Sequence, residues 1–193
     1  MDKIYFTFFL ILKHFPDFDR IPLISKGICL LRGRIIGCLP NKKIGKNVMI
    51  YKNFNFTMRM SLWIGDSTKI YPNVSIIGSE CKIDVRVVIF EDVEIDATSS
   101  VHIGSNVCIG ARCEIYSHIH NYSLKATGIF SSQETNAPTR IENDVLLYNN
   151  AKLMPGVTIK QGSIIGNSSV VYKDTDGYSI YAGNPARKVE ERK

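Results

Sequence analysis

Four histidines are the natural proton-moving side chains of this 193-residue chain: His14, His102, His118 and His120. An imidazole titrates near pH 6.5, so it can take a proton from a hydroxyl that is otherwise wholly protonated at neutral pH. A positioned base of that kind is worth roughly 10²–10⁴ in rate. Two of the four stand two residues apart, in Ile115-Tyr-Ser-His-Ile-His-Asn-Tyr122. With Ile119 facing inward, His118 and His120 on either side face outward. A polar stretch follows at 121–138, with Gly128, Ser131, Ser132, Asn136 and Pro138. Spacing alone leaves the choice between the two imidazoles open. His102 precedes His120 by three six-residue units and, in a coil of three such units, would stack beneath it and line an acceptor pocket.

Other chemistries find less support. No Ser or Cys with a paired base is visible, which disfavours a covalent intermediate. The five cysteines, Cys29, Cys38, Cys81, Cys108 and Cys113, form no CxxC pair and no even framework. That pattern reads as reduced thiols in a cytoplasmic protein. Cys113, His118 and His120 lie near one another but lack the paired, repeated spacing of a zinc site, so no metal is expected.

The elements that must hold these side chains have a period of six. Aliphatic residues recur at Ile77, Ile83, Ile89, Ile95 and Val101, and after a two-residue slip at Ile103, Ile109 and Ile115. The ladder returns through Ile141, Leu147, Leu153, Ile159, Ile165 and Val171, with fainter rungs at Ile44, Ile50, Ile64, Ile70 and Ile76. Four residues after most rungs sits a small or β-branched residue, such as Val48, Val87, Cys113, Ala151 or Ser169. A helix wants a period of 3.6 and a lone strand a period of 2, so neither explains six. A parallel β-helix does, with one strand and one turn per hexad and three hexads per coil. The composition agrees, since 26 Ile and 13 Val stand against 11 Leu, and β-branched residues favour pleated surfaces.

The ladder, the run from Ile141 to Ile159, and the closing Tyr181-Ala-Gly-Asn-Pro-Ala186 together resemble the hexapeptide-repeat acyltransferases. The likeness spans residues 44–190 and is nearest to the galactoside and maltose O-acetyltransferases and the O-antigen and capsule O-acetyltransferases. It implies an all-β fold, a left-handed parallel β-helix over 44–174, with the excursion at 121–138. A short helical segment over 1–43 precedes it and a tail over 175–193 follows. It further implies an acetyl-CoA-dependent O-acetyltransferase acting on a saccharide hydroxyl of a surface polysaccharide or its precursor. Transfer would be direct, with a backbone N–H holding the oxyanion. Matched onto this sequence, the base falls on His120, with His118 as the other candidate. The acetyl-CoA contacts fall on Asn149, Asn167, Tyr172, Lys173 and Arg187. The family's homotrimer would place that cosubstrate between subunits. Two positions depart from the pattern, because Leu146 and Tyr148 stand where the family commonly has Trp and Gly.

Rival readings are an N-acyltransferase on a nucleotide-linked amino sugar, a metal-dependent hydratase using His102, His118 and His120, and a silent scaffold. The net charge of +6 is mild, and no nucleic-acid partner is expected. The apolar run Ile4–Leu12 ends after nine residues, too short to span a bilayer, and carries no signal-peptide cleavage pattern. Residues 1–40 read either as helices covering the end of the domain or as a basic surface, with Lys26, Arg32 and Arg34, resting peripherally on an inner membrane.

Overall fold

A computed structural model describes residues 7, 10–16, 22–120 and 134–193. From Lys42 onward the chain winds as a left-handed parallel β-helix of three faces. The first face stacks Lys42–Ile44, Ser61–Ile64, Glu80–Ile83, Val101–Ile103, Thr139–Ile141 and Thr158–Ile159. The second runs from Met49–Ile50 through Cys108–Ile109 and Leu146–Leu147 to Ile164–Ile165, and the third from Asn55–Phe56 through Glu114–Ile115 to Val170–Val171. Every pairing between coils is parallel, so each short strand satisfies its backbone groups on the coils above and below.

The rung residues fill the prism: Ile50, Ile64, Ile83, Ile109, Ile141, Leu147 and Ile159 are among its fully buried side chains. The small residues four positions on, including Val87, Cys113, Ala151 and Ser169, are buried too. Each Ile withdrawn from water stabilises the coil by about 1.5–3 kcal/mol.

Two corners repeat strictly. Three residues after each rung the backbone enters the left-handed region, at Asn47, Ser67, Arg86, Asn106 and Asp144 on one corner and Asn53, Asn73, Asp92, Arg112, Asn150 and Ser168 on the other. Asn and Asp tolerate that conformation best after glycine. They also bond to one another along the axis, Asn53 Nδ2 to Asn73 Oδ1 and Asn73 Nδ2 to Asp92 Oδ1, both at 2.9 Å.

The third corner is where coils differ in length. The stacked rungs pair Ile44↔Ile64, Ile64↔Ile83, Ile83↔Ile103, Ile103↔Ile141 and Ile141↔Ile159. The first three of these intervals exceed three hexads, and the fourth is the longest because it contains the excursion. This corrects two expectations. Ile76 is the inward rung and Ile77 is half exposed, because the extra residues at this corner shift the phase. Of the five intervals, only Ile141 to Ile159 has the expected three hexads.

The N-terminal helix, α1 (Pro22–Gly37), lies against the first coil. Gly33 allows the approach, since a Cβ there would stand 2.9 Å from the Val48 carbonyl oxygen. Arg32 is fully buried on the coil-facing side, where Nε donates to Leu12 O at 2.8 Å and Nη1 to Ile50 O at 3.2 Å. Its Nη2 donates to Phe15 O. The expectation that Arg32 contributes to an outer basic surface is therefore wrong: it staples the preceding segment and the helix to the first coil. At the other end, Ser179–Gly183 adds to the second face and returns as an antiparallel hairpin with Ala186–Glu191. Among the described residues no helix is long and apolar enough to cross a membrane.

Candidate functional site

The long coil bulges outward at the third corner. Ala137 N donates to Ser117 O at 3.0 Å, closing the base of the excursion, and Gly156 N of the next coil donates to Ala137 O at 3.0 Å. Residues 118–120 and 134–136 pair antiparallel, His118 opposite Asn136 and His120 opposite Glu134. Residues 121–133, which include Gly128, Ser131 and Ser132, lie outside the described residues.

The two imidazoles meet edge to face with centroids 6.0 Å apart. His118 is half-buried and His120 exposed. Ile119, expected to point inward, is also exposed, because it belongs to the hairpin and not to the prism. His118 Nδ1 is buried 2.8 Å from Asp96 Oδ2, whose side chain is only 13% exposed. The ring N–H does not align for a hydrogen bond, so the contact acts as an ion pair when His118 is protonated. Asp96 was missing from the sequence reading. It directly follows rung Ile95, in the coil below Ile115, and meets His118 only where the chain leaves the prism, which no spacing in the sequence signals.

A second polar group borders the site on the same face. Glu114 accepts from Lys152 Nζ at 2.6 Å and from Tyr116 Oη. Partial burial works against the Glu114 charge, but those two bonds and the Lys152 cation hold its carboxyl below the usual range. Burial, then the bond to Glu114, pushes the Tyr116 phenol up to about 12.

His102 stands elsewhere. Its neighbours in the stack are Lys82 and Arg140, and Nε2 lies 3.0 Å from Asp84 Oδ2. The predicted stacking beneath His120 fails because the coil that begins at His102 carries the excursion, so an offset of three hexads ends outside the prism. His102, Asp84, Arg140, Glu142 and Gln161 line a separate cavity of about 260 Å³ on the first face. His14 lies at the N-terminal end, its Nδ1 2.8 Å from Asn53 Oδ1. Among the described residues no three His, Cys, Asp or Glu side chains form a metal-binding group.

Of the five residues matched to acetyl-CoA contacts, three converge. Tyr172, Lys173 and Arg187 line a cavity of about 380 Å³ with Asp174, Tyr181 and Pro185. Lys188 is also there, but its Nζ is bonded to Asp176 and Glu191, each at 3.1 Å. Asn149 and Asn167 do not line it. The Asn149 Oδ1 accepts the Ala111 N–H at 3.0 Å and so serves the turn stack, and Asn167 is exposed on a turn. Leu146 faces outward on the second face, and Tyr148 is exposed beyond it. The cavity and the histidines share one corner. The pairings Ile115↔Leu153 and Leu153↔Val171 put Tyr172 two coils above Tyr116, roughly 10 Å at a strand spacing of about 4.8 Å.

Residues 138–173 match the family model described as bacterial transferase hexapeptide (six repeats). That segment of the chain is similar to the repeats of this family. Over 150 residues the chain is 28% identical to a provisionally named colanic acid biosynthesis acetyltransferase of Escherichia coli K12, covering 78% of this chain and 69% of that protein. Over 54 residues it is 46% identical to a chloramphenicol acetyltransferase of Klebsiella aerogenes, 28% of this chain and 26% of the relative. The chain thus spans only about a quarter of that curated relative. Two solved structures share the hexapeptide-repeat fold. One is a variant of an N-acyltransferase from Bacillus cereus in complex with dTDP and coenzyme A, with TM-score 0.68 and 22% identity over 77% of this chain and 83% of that one. The other is a hexapeptide-repeat acetyltransferase from Vibrio cholerae complexed with acetyl coenzyme A, with TM-score 0.63 and 21% identity over 100% of this chain and 87% of that one.

Proposed function

We propose that this chain is an acetyl-CoA-dependent O-acetyltransferase whose acceptor is a saccharide hydroxyl, with His120 as the general base. The observation that carries the reading is the shared corner: a cavity lined by Tyr172, Lys173, Asp174 and Arg187, two coils above the coil that leads into His118 and His120. Coenzyme A fits the cavity chemically. Its phosphate groups suit Lys173 and Arg187, and its adenine suits the face of Tyr172. The pantetheine arm would run along the corner from Tyr172 towards the coil that leads, two residues past Tyr116, into His118. The relative named for colanic acid biosynthesis supports a polysaccharide acceptor.

In this reading acetyl-CoA supplies a thioester as acyl donor. His120, exposed at the mouth of the excursion, accepts the hydroxyl proton as the oxygen attacks, then returns it to the departing thiolate. His118 packs its ring against His120, and Asp96 Oδ2 lies 2.8 Å from its Nδ1. His118 is thus a positioning residue and the second candidate for the base. A homotrimer would enclose the donor between neighbouring corners. The Bacillus N-acyltransferase with the same fold supports one alternative, acylation of an amino group on a nucleotide-linked sugar.

The test is acetyl transfer from labelled acetyl-CoA to the host's surface glycan, together with calorimetric coenzyme A binding. His120→Ala is expected to lose at least 100-fold in rate with binding retained. Full activity in that variant, with loss in His118→Ala, would move the base to His118. Transfer to amino sugars alone would establish the N-acyl alternative.

A further inference from the structure

The net positive charge of this protein comes from one stretch of the chain. Residues 22–65 contain eight Lys and Arg and no Asp or Glu, while the rest of the chain carries 16 basic against 18 acidic residues. The whole excess of +6 therefore belongs to α1 and the first coil with its return. Lys26, Arg34, Lys43, Lys46 and Arg59 are exposed there.

Helix α1 in that region is inverted. Its buried side carries Ser25, Cys29 and Arg32 beside Ile35 and Ile36. Its outer side carries Leu23, 85% exposed, with Ile24 and Leu31 also exposed. At 100° per residue, Leu23, Ile24, Gly27, Leu31 and Arg34 fall within about a third of the circumference, with Lys26 at its edge. The buried Arg32 holds the backbone of residues 12 and 15 against this helix, which brings exposed Leu10 and Ile11 to the same end of the molecule. A water-facing helix would place its leucines inward and its arginine outward.

We infer that this end of the solenoid docks on an anionic lipid bilayer, with α1 lying in the interface plane. Leu23, Ile24 and Leu31 enter the acyl boundary, and Lys26 and Arg34 meet lipid phosphates. Charge complementarity selects this occupant, since residues 22–65 carry eight cations and no carboxylate, and the adjoining Asp66 is already engaged, its Oδ1 accepting from Lys46 N at 2.7 Å. A second copy presenting the same end would set these cations against one another. The 16-residue helix is about 24 Å long, short of the roughly 30 Å needed to span, and its buried face is committed to the first coil. The inference stands apart from the catalytic reading, because none of these residues lies at the third corner beside the histidines.

Vesicle cosedimentation of the full chain tests it, using phosphatidylcholine vesicles with and without admixed phosphatidylglycerol. Binding is expected to the anionic vesicles and to fall with salt. Each cation near the surface contributes roughly fivefold in partitioning, so Lys26→Gln with Arg34→Gln is expected to weaken binding more than tenfold. Leu23→Ser with Leu31→Ser is expected to abolish it, with an unchanged melting temperature because both side chains are exposed. Equal partitioning to both vesicle types, or none to either, overturns the inference. So does a leucine variant that still binds vesicles but changes its mass by light scattering, which would assign the face to a second copy.

Discussion

Arg32→Met is the most informative perturbation of the fold, since it keeps the bulk of the side chain and removes its donors. The guanidinium is inaccessible to solvent and donates to the carbonyls of Leu12, Phe15 and Ile50. Each bond from a charged donor is worth about 1.5–3 kcal/mol net, giving a ceiling of about 5–9 kcal/mol for three. Against that stands the cost of burying a cation, several kcal/mol, which Met does not incur. The difference leaves an expected loss of about 2–4 kcal/mol. Urea unfolding followed by the fluorescence of Trp63, the single tryptophan, measures it. A local readout accompanies it: Asn53 N donates to Lys13 O at 2.7 Å, so its amide should exchange faster once the segment is released. Arg34→Met, on the exposed side, is the control and should stay within about 0.5 kcal/mol. If Arg32→Met equals or exceeds the wild type in stability, or leaves Asn53 protected, the staple reasoning is refuted.

Other substitutions probe the remaining elements. Gly78→Ala should prevent folding or cost more than about 4 kcal/mol, because its φ of +123° excludes a side chain and a Cβ would lie 2.2 Å from the Ala97 carbonyl carbon; circular dichroism melting decides it. Lys173→Ala with Arg187→Ala should raise the acetyl-CoA KM at least tenfold with kcat little changed, read from initial rates. Glu142 accepts from Gln161 N–H, which holds its carboxyl low against partial burial, with Lys160 adding to the effect. A depressed folded pKa contributes stability above the carboxylate range and loses it as pH falls through that value. Glu142→Gln should therefore lower the urea midpoint at pH 7 and narrow the gap to wild type near pH 3.

Much of the solenoid was legible because rungs report directly on burial. Ile141 to Val171 could be placed residue by residue, since the last coils keep the ideal three hexads. The Ile76–Ile77 pair went astray because either residue continues a six-period, and only coil length decides which faces in. The same uncertainty misplaced His102, while Asp96 was concealed because it meets His118 only where the chain leaves the prism. Asn149 matched a family contact by position, yet its amide oxygen is occupied by Ala111. Arg32 read as a surface cation because charge is visible in a sequence and three waiting carbonyls are not.

The unequal coils have a consequence for how such a chain can change. Two corners are locked by left-handed turn residues and by Asn ladders that bond from coil to coil, so an insertion there would break the stack above and below. At the third corner a coil of three hexads and one that carries the whole excursion close equally well, as the bond between Ala137 and Ser117 shows. Lengthening that loop costs little more than loop-closure entropy, about 0.6 kcal/mol per doubling. Evolution can therefore redesign what meets the histidines by adding or deleting sequence at one hinge point, while the cavity two coils away inherits an untouched frame.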